Sequence, residues 1–143
     1  MRLASLLTAA GMLGLAGCGG SDTSAAAVIN PFLGTLSIAS ALPTGTTTCL
    51  ATHTVTFTST GVNLHTVNAA GGDCLTFTNS DTSSHRPASI GTPTCAELDA
   101  SAALTQGQSF TTTPLAGPKT CHWEDALNPP PAGGGGGGGG GGY

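Results

Sequence analysis

Through the middle of this chain, hydrophobic residues recur at every second position. In HTVTFTSTG (His53 to Gly61), Val55 and Phe57 alternate with threonines, the period-2 pattern of a strand with one face in a core and one in water. CLTFTNSD, starting at Cys74, repeats the alternation through Leu75 and Phe77. VNLHTVNAAGGD (Val62 to Asp73) predicts a further strand that turns at Gly71-Gly72-Asp73, and QSFTTTPL and KTCHWE predict two more, separated by Ala116-Gly117-Pro118. Threonine suits these pleated surfaces because its branched Cβ packs well on them. Thr94 and Glu97 have the capping-box spacing, which predicts one short helix over Cys95 to Ala100. Short strands every 8–12 residues with turn signals between them describe an all-β sandwich or barrel.

The two ends of the chain carry other patterns. Arg2 followed by the apolar run Leu3 to Leu15 has the layout of an export signal and is too short to span a bilayer core of about 30 Å as a helix. Leu15-Ala16-Gly17-Cys18 resembles the lipobox of bacterial lipoproteins. That resemblance implies cleavage before Cys18, a diacylglycerol thioether on its sulfur, and a membrane-anchored protein outside the cytoplasm. Gly19 rather than aspartate after the cysteine implies sorting to the outer membrane in a Gram-negative cell. At the far end, Pro129-Pro130-Pro131 favours an extended segment, and Gly133 to Gly142 has no side chain to bury. No strand precedes this glycine run and no helix follows it, so it is not a phosphate-cradling loop. The expected division is a signal at 1–17, a tether at 18–47, a domain at 48–129 and a disordered tail at 130–143. Within the tether, Val28 to Leu42 reads as an edge strand or as a hydrophobic flap, with Pro31, Gly34 and Pro43 interrupting it.

Charge and cysteine content narrow the function. Without its signal the chain keeps Arg86 and Lys119 against seven carboxylates, a net of −5; the lack of a basic patch disfavours nucleic acid as a partner. Five cysteines become four once Cys18 is assigned to lipid. Cys49, Cys74, Cys95 and Cys121 are then an even set for an oxidising compartment, expected as two bridges with three possible pairings. A domain of this size has a thin core, which disulfides support. There is no nucleophile motif and no cysteine pair at redox spacing, so the protein is not expected to be an enzyme.

The run VTFTSTGVNLHTVNAAGGDCLTFTNSDTSSHRPAS resembles the first half of small bacterial cupredoxins. There, Gly-Asp leads into a strand ending Phe-x-Asn-x-Asp, followed by the first copper-ligating histidine. Gly72-Asp73, Phe77-Thr78-Asn79-Ser80-Asp81 and His85 follow that order here. Cys95-Ala96-Glu97-Leu98, Gly107-Gln108-Ser109-Phe110 and the closing Leu127-Asn128-Pro129 extend the likeness over residues 53 to 129. It implies a Greek-key β-sandwich of cupredoxin type with one short helix. It also implies adjacent, parallel first and third strands, and hence the pairings Cys49–Cys74 and Cys95–Cys121.

Carried over residue by residue, the likeness places His85 at the first-ligand position. Aligned on Leu-Asn-Pro, the subfamily's two late histidines fall on Glu124 and Ala126. A blue-copper centre needs two imidazoles, a thiolate and usually an axial methionine, yet the chain has no methionine beyond Met12. The expected metal site is therefore His85, His122 and Glu124, a non-blue arrangement suited to Cu(II) or Zn(II), with Asp125 able to assist. Copper is the implied cofactor. The alternative is a metal-free domain of the same fold, with a His85–Glu124 hydrogen bond closing that end and a structural or interaction role in the cell envelope. Trp123 alternates with Cys121 and is expected to point inward. His53 and His65 are expected as solvated strand positions, and Arg86 as a partner of Asp81 or Glu97.

Overall fold

A computed structural model describes residues 30–129. The stretch expected as a signal, Cys18 with its expected lipid, and the stretch expected as a tail from residue 130 lie outside these residues. Eight strands form two four-stranded mixed sheets, with β1 at Gly34–Ile38, β2 at Thr52–Thr58, β3 at Gly61–Val62, β4 at Thr66–Ala69, β5 at Cys74–Asn79, β6 at Pro87–Ile90, β7 at Ser109–Thr111 and β8 at Lys119–Asp125. The first sheet has the order β4-β1-β8-β6 and the second β3-β2-β5-β7.

The alternating patterns become these strands because one face of each can be buried. Val55 and Phe57 of β2 and Leu75 and Phe77 of β5 point inward, as do Cys121 and Trp123 of β8. They meet Leu36, Ile38 and Val67 in one core. Trp123 is 0% exposed and sets its edge on the rings of Phe77 and Phe57, with centroids at 4.9 and 6.1 Å. This is the favourable edge-to-face arrangement of aromatic quadrupoles. Gly34, opposite Trp123 in the β1–β8 register, leaves room for the indole: a Cβ there would lie 2.1 Å from Trp123 Cζ2. Gly72 turns the chain from β4 into β5 at a φ of +96°, a conformation that glycine adopts without a Cβ clash.

Four features depart from the expected layout. The folded unit begins upstream of residue 48, since β1 lies in the stretch expected as tether. β1 is an interior strand, parallel to β4 and antiparallel to β8. The strand expected over Val62 to Asp73 divides into β3 and β4, which belong to different sheets. Asn63 marks the break, its Oδ1 accepting the Thr56 N–H at 2.6 Å. The loop after His85 contains the edge strand β6, which starts at Pro87, where no ladder hydrogen bond is lost. The helix expected over Cys95 to Ala100 is a single 3-10 turn at Ala96–Leu98 without a side-chain cap; Glu97 pairs with Lys119 instead of closing a capping box.

Strands β2 and β5 are parallel neighbours, with Thr52 opposite Cys74, and this brings Cys49 to Cys74. The bridges are Cys49–Cys74 and Cys95–Cys121, the expected pairing. The first reaches the surface at Cys49, whereas both sulfurs of the second are in the core.

Candidate functional site

The end of β5 builds the most connected polar group of the described residues. Asn79 is fully buried. Its Nδ2 donates to the carbonyls of Ser83 and Leu104, at 2.7 and 2.8 Å, and its Oδ1 accepts the Asp81 N–H at 2.7 Å. One amide thus fixes the loop that leads to His85. The His85 backbone exchanges two hydrogen bonds with Leu104, which turns its side chain inward. The imidazole, 1% exposed, lies parallel to Phe57 with centroids at 4.7 Å and packs against Phe32 at 5.2 Å. A ring carrying positive charge gains from an aromatic face in this position.

Both imidazole nitrogens face carboxylates. Nδ1 is 2.6 Å from Asp125 Oδ2, and Nε2 is 3.1 Å from Asp81 Oδ2. A carboxylate only accepts hydrogen bonds, so donating to both requires the imidazolium form. Asp125 faces inward because it continues the Cys121–Trp123 alternation along β8, and it is 0% exposed. Its Oδ1 accepts the N–H groups of Arg86 and Leu127, at 2.8 and 3.0 Å, and its Oδ2 accepts from His85 and from the Asn128 amide. Burial pushes the Asp125 carboxyl up. The Arg86 N–H, Asn128, His85 and the Leu127 N–H outweigh it and hold the carboxyl below its ordinary value. For Asp81, burial again raises the carboxyl, and His85 with the N–H groups of Thr82 and Ser83 bring it below normal. The closing Asp125-Ala126-Leu127-Asn128 segment thereby ties the end of β8 to the His85 loop.

The expected metal set is not brought together. Thr120, His122 and Glu124 occupy the outer face of β8, and Cys121, Trp123 and Asp125 the inner face. His85 therefore meets Asp125 and not Glu124, which stands opposite Ala88 in the β6–β8 register. His122 and Glu124 do share a face, but the sheet separates them from His85. Arg86 is exposed and forms no ion pair among the described residues; Asp81 is taken by His85 and Glu97 by Lys119. His53 is half-buried and pairs with Asp73 at 3.1 Å. The Ala70 N–H and His53 hold the Asp73 carboxyl below its ordinary value. His65 is exposed, as expected. Cys95, Glu97 and Cys121 bring ligand atoms within 4.8 Å of one another, but the two sulfurs are bonded to each other and have no thiolate to offer. From the sequence, Asn79 and Asn128 stand only as motif residues with no bonding role, and Phe32 has no part. The role of Asp125 had a usable signal, since placing Trp123 inward puts Asp125 on the same face two residues later.

An imidazole committed to two carboxylates has no lone pair for a metal ion or for proton abstraction. The group works as a clasp, joining the β5–β6 loop, the end of β8 and the segment that follows it. Comparison with known proteins finds no matching family model, no similar curated protein and no similar solved structure.

Proposed function

We propose that this chain is an exported, lipid-anchored, non-enzymatic domain of cupredoxin type, in which the end that carries copper in that family serves as a structural clasp. The observation that carries the reading is His85 held between Asp81 and Asp125. At the first-ligand position, this imidazole has both nitrogens occupied by the protein's own carboxylates. The lone late cysteine, Cys121, is in a disulfide, and His122 and Glu124 face away from His85. The metal-free form of the cupredoxin reading is thus favoured over a copper site at His85, His122 and Glu124. The parallel neighbours β2 and β5 and the non-consecutive strand order support a Greek-key arrangement.

The Leu15-Ala16-Gly17-Cys18 motif supports anchoring through lipid. Eleven residues lie between Cys18 and Asn30, so such an anchor holds the domain within about 40 Å of the bilayer. In this position the domain serves a structural or interaction role at the cell envelope. Two measurements test the reading. Fatty-acid label is expected in the mature chain and is lost in Cys18→Ala. Replacement of His85 by glutamine is expected to lower stability while leaving metal affinity unchanged; loss of Cu(II) or Zn(II) binding in that variant overturns the clasp.

A further inference from the structure

Two histidines outside the clasp face a common cleft. On the outer face of the first sheet, a cleft of about 370 Å³ is lined by residues that include Leu33, Thr35, His65, Thr66 and His122. Thr66, Thr35 and His122 stand in one row across β4, β1 and β8, and His65 immediately precedes Thr66. His65 Nδ1 lies 2.8 Å from the Leu33 carbonyl, and His122 Nδ1 lies 3.2 Å from Thr35 Oγ1. Each ring is therefore held through Nδ1, His122 by Thr35 of β1 and His65 by Leu33, the residue just before that strand.

We propose that His65, just ahead of β4, and His122 of β8, on either side of β1, form a site for one divalent late transition-metal ion, Zn(II) or Cu(II). A carbonyl can only accept, so His65 carries its proton on Nδ1 and has the Nε2 lone pair free. The Thr35 hydroxyl can accept from His122 Nδ1–H and leave that Nε2 free as well. An imidazole whose second nitrogen is fixed by a carbonyl or another oxygen is the usual arrangement of a ligating histidine. Two strand spacings, about 10 Å, separate β4 from β8. Two imidazoles directed toward each other, with metal–nitrogen bonds of about 2 Å, can close that gap. Imidazole nitrogen suits zinc and copper, and two protein ligands leave the remaining positions to water or an external ligand. The net negative charge of the chain favours a cation.

The proposal goes beyond the clasp reading and fails separately from it. Titration of Zn(II) and Cu(II) into the untagged mature chain, followed by calorimetry, is expected to give one site. Exchange of either His65 or His122 for glutamine should weaken that site at least about tenfold, and Thr35→Val should weaken it less, because it removes only the orienting hydroxyl. Replacing His53 should leave the affinity unchanged. As a check independent of variant folding, Zn(II) should shift the ring resonances of His65 and His122 together in the unaltered chain and leave those of His85 in place. Absence of binding, binding that survives the double His65/His122 replacement, or equal loss on replacing His53 overturns this site, and none of these results touches the clasp. Loss of binding on replacing His85, with His65 and His122 unshifted by Zn(II), overturns both.

Discussion

The two sides of the first sheet use the same side chain to opposite ends. Inside, His85 gives each ring nitrogen to a carboxylate and stacks on Phe57; outside, His65 gives one nitrogen to the Leu33 carbonyl just before β1, His122 gives one to Thr35 of β1, and both residues line an open cleft. Whether a histidine is structure or site is thus decided by how many of its nitrogens the fold occupies. The same division runs along β8, where a one-residue step separates a buried carboxylate with four donors from a half-buried one whose neighbour in the register is alanine.

That contrast predicts its own largest effect. Replacing Asp125 with alanine leaves the buried His85 ring, two backbone N–H groups and the Asn128 amide without their acceptor, and should cost about 3–5 kcal/mol in chemical denaturation. The same change at Glu124 should fall within about 0.5 kcal/mol of the parent. Comparable losses at the two positions would break the inner–outer distinction.

Next come the two bridges. They span 25 and 26 residues, so removing either should cost a similar amount, about 2–4 kcal/mol, by the loop-closure reckoning. Exposure separates them. Under mild reductant and alkylation of the native protein, Cys49–Cys74 should be labelled first, because Cys49 is exposed while Cys95 and Cys121 are both at 0%. Earlier labelling of the core pair would contradict the packing of that end.

A smaller effect is expected with pH. Asp73, Asp81 and Asp125 all lie below the ordinary carboxyl value of 3.8 in the folded chain. The unfolded chain therefore binds protons first as pH falls, and the stability these carboxylates contribute is complete above that value and is lost progressively below it. Melting temperatures between pH 2 and 6 should show the decline, with a shallower slope in an Asp125→Asn variant. The smallest expected effect is at His53, whose side chain is about one-third exposed beside Asp73. Its replacement by glutamine should shift stability by less than about 1 kcal/mol.

The parts of the molecule legible in the chain are those whose periodicity is local. Val55 and Phe57, Leu75 and Phe77, and Cys121 with Trp123 announce β2, β5 and β8 through alternation alone, and Gly71-Gly72-Asp73 announces the turn into β5. By contrast, β1 is only five residues long and is an interior strand because β4 and β8 flank it, which no local signal in Gly34–Ile38 reveals. β6, headed by a proline, looks like loop for the same reason. The candidate site was partly legible: His85 was found, but its partner was misassigned to Glu124, since adjacency along a strand suggests proximity while the pleat reverses it.

Taken alone, the amino-acid order determined that this protein is built of strands and that Trp123 anchors its interior. These follow from side-chain period, size and chemistry, which belong to residues individually or to near neighbours. Only the tertiary structure decided that β1 sits inside a sheet, that Asp81 and Asp125 close on His85 across 44 residues of chain, and that His65 and His122 share one cleft. Each of those depends on which strands lie side by side, and that is set by burying the inner faces of both sheets against each other at once.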